Sequence, residues 1–107
     1  MEYPRQELFI GKKSQELLRK STVCIVGIGA LGSVSAELLT RAGIGKLILI
    51  DRDIVEIINL QRQHLFDESD IDKLKVVQAK EHLNKINSDV EIEIHPVDLN
   101  YENINIL

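Results

Sequence analysis

The stretch TVCIVGIGALGS, residues 22–33, decides the fold of this chain. β-Branched and apolar residues run up to Val26, glycines follow in the spacing G-x-G-x-x-G, and a helical pattern comes after them. In such a turn the first glycine allows a tight bend, the second lets the backbone approach a phosphate, and the third lets the helix pack close to the strand. The N-terminus of that helix then faces the anion. The stretch predicts a phosphate-binding turn made of Gly27, Gly29, Ala30, Leu31 and Gly32.

Strand and helix patterns alternate on both sides of this turn. Strands that are apolar on both faces are predicted at residues 23–26 and 47–50, as in a central parallel sheet. Residues 90–95 alternate strictly between apolar and polar, and Pro96 ends them, which predicts an edge strand. Amphipathic helices are predicted at 30–42 and at about 72–87, the second with SDID as a capping box.

Apolar spacing assigns a buried face to each helix. The predicted face of the first helix is Leu31, Val34, Ser35, Leu38 and Ala42, with Leu39 at its border. That of the second is Val76, Ala79, Leu83 and Ile86. Upstream, residues 5–20 are rich in charge and predict one or two short helices interrupted at Gly11.

The resulting order, βαβαβ, predicts an α/β fold with a parallel sheet, namely the first half of a doubly wound, Rossmann-like fold. Residues 1–21 would form an N-terminal helical arm and residues 22–107 an incomplete, truncated nucleotide-binding domain. The first strand is central in the full version of the fold, so here its outer edge should lack a partner. Because unpaired apolar edges are normally covered, we expect a homodimer or a larger assembly.

Composition excludes several classes of function. Thirteen basic residues against 17 acidic ones give a net charge of −4, which argues against a general nucleic-acid surface. The apolar runs are too short to span a membrane, and no secretory leader is apparent, so we expect a cytoplasmic protein without membrane contact. The chain has no C-x-x-C pair, and its three histidines are too scattered to predict a metal site.

The segment after the second strand indicates which nucleotide is bound. Asp51 ends that strand, in the place where dinucleotide-binding folds put the acidic residue that contacts ribose. Beyond it lies a polar cluster, and Lys75 follows in the next helix. Cations beside a glycine turn suit a triphosphate whose charge must be neutralised. The alternative interpretation is that Arg62 and Lys75 are solvated surface charges. The candidate residues of this cluster are Asn59, Arg62 and Gln63.

At these motifs the chain resembles the ThiF/HesA/MoeB family, bacterial and archaeal relatives of ubiquitin-activating enzymes. The resemblance covers nearly the whole chain, and its diagnostic strings are YPRQ, VCIVGIGALGS, RAGIGKLILIDRDIVE, NLQRQHLF and DIDKLK. It implies an enzyme that binds ATP and Mg²⁺ and adenylates a carboxylate, most often the C-terminal glycine of a ubiquitin-like or sulfur-carrier protein.

The resemblance also implies roles for individual residues. Asp51 would hold the ribose hydroxyls, and Asp53 would support the loop or a hydrated metal. Arg5 would act as an arginine finger in the active site of the neighbouring subunit of a dimer. Asn59, Arg62 and Lys75 would contact the phosphates, with Arg62, Lys75 and Arg5 as the catalytic cations.

This sequence departs from the family at several positions. The family often has glycine where Asp72 and Ser14 stand, and a polar residue where Ile58 stands. The aspartate that binds magnesium in the family lies beyond residue 107, as does the surface that binds the acceptor, so the chain alone is expected to be inactive. Two alternatives remain open, an NAD- or FAD-binding oxidoreductase fragment and a non-catalytic nucleotide-binding module.

Overall fold

A computed structural model describes residues 2–61, 63 and 65–106 and shows a parallel sheet in the order β1-β2-β3. The strands are β1 (Thr22–Val26), β2 (Lys46–Ile50) and β3 (Glu91–His95). Helix α2 (Ala30–Ala42) connects β1 to β2, and α3 (Lys75–Ile86) lies between β2 and β3. The parallel βαβαβ prediction is therefore confirmed. Val26 pairs with Ile50 and Ile50 with His95, so the three carboxyl ends meet at one edge of the sheet.

Both outer strands behave as predicted. In the described part of the chain β1 pairs only with β2, which leaves its other side without a strand. At the opposite edge, Ile92 of β3 and Val90 just before the strand are buried, while Glu91 is exposed. The core lies between the sheet and α3, whose predicted stripe of Val76, Ala79 and Leu83 is fully buried, with Ile86 packed against its border.

The predicted buried face of α2 is wrong. Leu31 is 80% exposed and Leu38 is 62% exposed, whereas small residues of the helix are buried. The close approach of α2 to β1 leaves room only for small side chains, so packing distance, rather than apolar character, selects the buried face. Leu31 and the partly buried Leu39 line an open pocket together with residues of β1. The buried residues of α2 are Ser33, Ala36 and Thr40.

Helix α3 begins at Lys75, three residues later than predicted. The capping box exists, but it is formed by Asp67 and Asp70 around a short 3₁₀ helix, Glu68–Asp70. Asp72 has a φ of +68°, a left-handed conformation that an α-helix excludes. This conformation also explains why glycine suits position 72, since glycine adopts it without steric cost.

The N-terminal segment forms α1 (Pro4–Arg19), in which Gly11 is non-helical with a φ of +83°. The prediction of helices interrupted at Gly11 is confirmed. Further 3₁₀ helices occupy Ile57–Gln61 and Ile104–Ile106. None of the helices in the described ranges combines the length and apolar character that crossing a bilayer requires.

Candidate functional site

The glycine turn joins β1 to α2 at the edge where the strands end. Gly27 has a φ of +91° and donates its N–H to the carbonyl of Ile50 at 2.8 Å, which fixes the turn to the neighbouring strand. Gly29 is the N-cap of α2 and supplies no capping side chain. The amides of Ala30 and Leu31 lie in the first turn of α2, where a helix offers no acceptor of its own. These donors can therefore serve an anion.

The glycines at 29 and 32 have opposite surroundings. A Cβ at Gly32 would lie 2.1 Å from the carbonyl oxygen of Gly27, so only glycine allows α2 to approach the turn this closely. A Cβ at Gly29 would meet no atom within 4 Å, which leaves open space in front of its backbone. Gly32 therefore fits the expected role in close helix packing, and Gly29 fits the expected role in close approach by a ligand.

Asp51 links the turn to the end of β2. Its Oδ2 accepts the N–H of Ile28 at 2.7 Å and its Oδ1 accepts the N–H of Asp53 at 2.8 Å. The side chain is half-buried, and an ionised carboxylate has acceptor positions for about four hydrogen bonds. Asp51 can thus hold the loop in place and still accept hydrogen bonds from two hydroxyl groups.

A cavity of about 210 Å³ opens beside Asp51. The glycine turn and the end of β2 form one wall, and the segment after β3 forms the other. Sequence reasoning missed this second wall, although a crevice outside the carboxyl ends of parallel strands is the general ligand position in such sheets. An ion pair of 3.1 Å between Arg52 and Asp98 joins the two loops at the surface. The missed lining residues are Val97, Asp98 and Leu99.

The predicted polar cluster is largely buried. Asn59 is buried, and its Oδ1 accepts the N–H of Glu56 at 2.8 Å, while its carbonyl accepts the N–H of Gln63 at 2.8 Å. Gln63 is 2% exposed, and its Oε1 has no hydrogen-bond partner among the described residues. A buried acceptor without a donor is unfavourable, so this position favours an additional donor group. Arg62, the predicted phosphate ligand between them, lies outside the described residues.

Lys75 stands at the first position of α3, and its backbone N–H donates to the carbonyl of Asp53 at 2.9 Å. Two isolated bridges, Ile54 with Leu74 and Val55 with Ile71, hold the loop after β2 against the start of this helix. These contacts place Lys75 beside the exposed residue Asp53, which itself follows Asp51 by two positions.

Lys75 is a largely buried residue. It is 6% exposed, and its ammonium forms no ion pair within the described ranges. An ammonium without a counter-ion among those residues can form charge-assisted hydrogen bonds with an anionic ligand. The structure thus brings the glycine turn, Asp51, Asp53 and Lys75 to one edge of the sheet.

Arg5 is not part of this assembly of residues. It is exposed on α1, and its neighbour Gln6 donates to the carbonyl of Ala42 at 2.7 Å. Ala42 is the last residue of α2, about 20 Å along the helix from the glycine turn at a rise of about 1.5 Å per residue. Within one chain, Arg5 therefore lies at the opposite end of α2 from the turn.

A second polar group lies away from the turn, where ligand atoms of Asp67, Asp70 and His82 fall within 4.8 Å of one another. Asp70 is buried, and it accepts hydrogen bonds from Gln78 Nε2, the Asp67 N–H and His82 Nε2, each at 2.8 Å. Burial alone would raise the pKa of Asp70, but these hydrogen bonds outweigh burial and lower it. The carboxylate is therefore committed to holding α3 and the preceding loop together.

Comparison with known proteins adds independent evidence. The model of the ThiF family matches residues 3–107. The chain belongs to this family. A sulfur carrier protein ThiS adenylyltransferase from Bacillus subtilis (strain 168) is 47% identical over 106 residues, which are 95% of this chain and 32% of that protein. Ubiquitin-like modifier-activating enzyme 5 from Gallus gallus is 52% identical over 84 residues, which are 78% of this chain and 21% of that protein.

A solved structure shares the fold closely. The tRNA N6-threonylcarbamoyladenosine dehydratase TcdA of E. coli, solved in complex with AMP, superposes with a TM-score of 0.92 and 29% identity, over 97% of this chain and 42% of that one. The chain thus spans about a third and a fifth of the two curated relatives named above, and less than half of the solved one.

Proposed function

We propose that this chain is the ATP-binding part of an adenylyltransferase that activates a carboxylate as an acyl-adenylate. The observation that supports it most directly is the meeting, at one sheet edge, of a helix N-terminus behind an open glycine, an acidic residue and a buried lysine that has no ion pair among the described residues. One relative is named as an adenylyltransferase and another as a modifier-activating enzyme, and a solved relative holds AMP.

The residues present fit ATP. The free amides at the start of α2 and the ammonium of Lys75 suit phosphate oxygens, because charge-assisted hydrogen bonds are the strong ones. The remaining acceptor positions of Asp51 suit ribose hydroxyls. Asp51 and Asp53 line the cavity between the turn and the segment after β3. Arg62 is proposed as a further phosphate ligand, and Asn59 and Gln63 as supports of the loop that carries it.

ATP, when bound, supplies the α-phosphorus that becomes attached to the acceptor carboxylate, with pyrophosphate as the leaving group. The part of this chain is then orientation and charge stabilisation. The amides of α2 hold the phosphates in line, and Lys75 offsets the negative charge that grows on the departing pyrophosphate. Asp51 fixes the nucleoside, so that the α-phosphorus stays accessible to the acceptor.

Three described carboxylates near the turn bear on a magnesium site. Asp51 already accepts two amides, Asp53 is exposed, and Asp98 pairs with Arg52 at 3.1 Å. The group formed by Asp67, Asp70 and His82 is engaged in its own hydrogen bonds. We therefore propose Mg²⁺ as a partner of the bound triphosphate, with Asp53 as its candidate contact.

The acceptor and the assembly are proposed from the relatives and from the surface. A ubiquitin-like or sulfur-carrier protein fits as acceptor, because the named relatives act on such proteins. A homodimer fits the exposed Arg5, which cannot reach the turn of its own chain and is free to act as an arginine finger in a second copy. The unpaired edge of β1 and the exposed leucines of α2 also favour association.

Calorimetric titration with ATP and NAD tests the nucleotide assignment. We expect ATP to bind more tightly than NAD, and both Asp51→Ala and Arg62→Ala to weaken ATP binding. Arg41→Ala is the control, since this arginine is exposed at the far end of α2 and pairs with Glu37 at 3.1 Å. Tighter binding of NAD that is lost in Asp51→Ala but retained in Arg62→Ala would instead establish the oxidoreductase alternative.

A further inference from the structure

The sequence Gly43-Ile44-Gly45, immediately after α2, forms a seat for the N-terminal arm. Gly43 has a φ of +88°, and a Cβ there would lie 2.5 Å from the Tyr3 ring. A Cβ at Gly45 would lie 2.0 Å from the carbonyl oxygen of Arg19. Tyr3 precedes α1 and Arg19 ends it, so both ends of the arm rest on these two glycines. Neither position has room for a side chain.

Side-chain amides fasten the arm to this seat. Gln15 is 1% exposed in the middle of α1, and its Nε2 donates to the carbonyl of Ala42 at 3.1 Å. Gln6 Nε2 donates to the same carbonyl at 2.7 Å and to Gln15 Oε1 at 2.5 Å. Ala42 is in the last turn of α2, where carbonyls have no intrahelical donor. The two glutamines thus satisfy an acceptor that the helix leaves open.

A second group of contacts holds the start of the arm. Asn87 is buried at the end of α3, and its Nδ2 donates to the Tyr3 hydroxyl at 2.6 Å and to the carbonyl of Thr40 at 3.0 Å. The Tyr3 ring also lies 5.7 Å from the guanidinium of Arg19, measured to the ring centroid. We call the hydrogen-bonded side chains Tyr3, Gln6, Gln15 and Asn87 the amide clasp.

Directional polar contacts hold the first part of the arm in place. Leu8 is 84% exposed and Phe9 is 91% exposed, so these two side chains add little apolar packing, whereas Leu18 near the end of α1 packs against the core. Hydrogen bonds require defined distances and angles, which fixes the orientation of the arm as well as its attachment. Arg5 lies between the clasped residues Tyr3 and Gln6, and its own side chain is exposed.

We propose that the amide clasp, seated on Gly43 and Gly45, consists of positioning residues that fix the direction in which Arg5 is presented to a second copy of the chain. This inference rests on the proposed function, in which Arg5 meets the phosphates of ATP bound by that second copy. None of the described hydrogen bonds of the clasp reaches the glycine turn, so we expect the clasp to affect ATP binding through Arg5.

Hydrogen exchange tests the seat without reference to ATP. In Gln15→Leu, loss of a buried hydrogen bond should speed amide exchange across residues 4–19 by about fivefold or more, with exchange in β2 unchanged. Tyr3→Phe, which removes one hydroxyl and preserves the ring, should act in the same direction and serves if Gln15→Leu does not fold. Ser14→Leu is the control, because it adds the same side chain at an exposed neighbouring position. Unchanged exchange rates in both clasp variants would contradict the claim that these side chains hold the arm on its seat.

A double-mutant cycle in ATP affinity tests the positioning of Arg5. At a chain concentration where light scattering shows a dimer, Gln15→Leu and Arg5→Ala should each weaken ATP binding. The double variant should bind no more weakly than Arg5→Ala alone, because the clasp acts through that arginine. Equal weakening by Gln15→Leu with and without Arg5 would overturn the positioning role. A native chain that binds no ATP or forms no dimer would overturn the proposed function and the role of Arg5, while the exchange measurement still decides the seat.

Discussion

Alanine substitutions at Gly29 and Gly32 make the same chemical change at positions with opposite surroundings. A methyl group at Gly32 would lie 2.1 Å from the carbonyl oxygen of Gly27. Ordinary carbon–oxygen contact requires more than 3 Å, so the turn and α2 would have to separate by about 1 Å, a case of overpacking. A methyl group at Gly29 meets no atom within 4 Å, and the backbone there has an ordinary φ of −87°.

Stability should therefore respond only at Gly32. Overpacking of this kind costs about 1–3 kcal/mol, which at a denaturant slope of about 2 kcal/mol per molar lowers the urea midpoint by about 0.5–1.5 M. For Gly29→Ala the free energy of unfolding should change by less than about 1 kcal/mol, since no contact is strained and alanine restricts the unfolded chain. Urea unfolding followed by circular dichroism measures both variants.

ATP affinity should respond at Gly29. The added methyl occupies the open space through which a phosphate approaches the backbone, so at least one charge-assisted hydrogen bond is lost. Such a bond contributes about 1.5–3 kcal/mol, which corresponds to roughly 10- to 150-fold weaker binding. Native ATP affinity in a folded Gly29→Ala chain would refute the placement of the phosphates. Native stability of Gly32→Ala would refute the close approach of α2.

Further predictions concern the lysine, the buried aspartate and the assembly. Lys75→Met should weaken ATP binding about tenfold or more by calorimetry, whereas Lys85→Met, on the exposed face of the same helix, should not; equal affinities would remove Lys75 from the site. Because the folded-state pKa of Asp70 is lowered, its stabilising contribution should be complete above the ordinary aspartate pKa of about 4 and disappear as the pH falls through the lowered value. Urea unfolding of the native chain and of Asp70→Asn from pH 7 to pH 2 checks this, and a constant difference between them would contradict it. Light scattering during size-exclusion chromatography should show a dimer across a dilution series, and a folded monomer at micromolar concentration would contradict the assembly.

Local sequence patterns were sufficient to predict the fold class. Two strands that are apolar on both faces, a glycine turn between the first strand and a helix, and a final alternating strand specify a parallel βαβαβ unit, because each pattern matches one environment in such a sheet. The stripe of α3 was predicted correctly because that helix packs on the sheet with large apolar side chains. The glycine spacing likewise located the turn. Glycine lacks a Cβ, so it is the residue type that allows both a tight bend and a close approach of the backbone.

Tertiary packing decided what the patterns could not. The buried face of α2 consists of small residues because the helix approaches β1 closely at Gly32, so the leucines that dominate the sequence pattern lie outside. The start of α3 was displaced by the left-handed residue Asp72, whose conformation depends on the loop around it.

The two ends of α2 show most clearly which features the sequence determined and which the tertiary structure determined. The sequence alone determined that a glycine turn stands at its start, because the glycines act within a dozen neighbouring residues. Only the tertiary structure showed that Gly43 and Gly45 at its other end seat the arm, and that Gln6 and Gln15 share one carbonyl 27 or more residues away. A hydrogen bond between side chain and backbone at such a separation leaves no periodic trace in the sequence, because it depends on how the intervening elements pack.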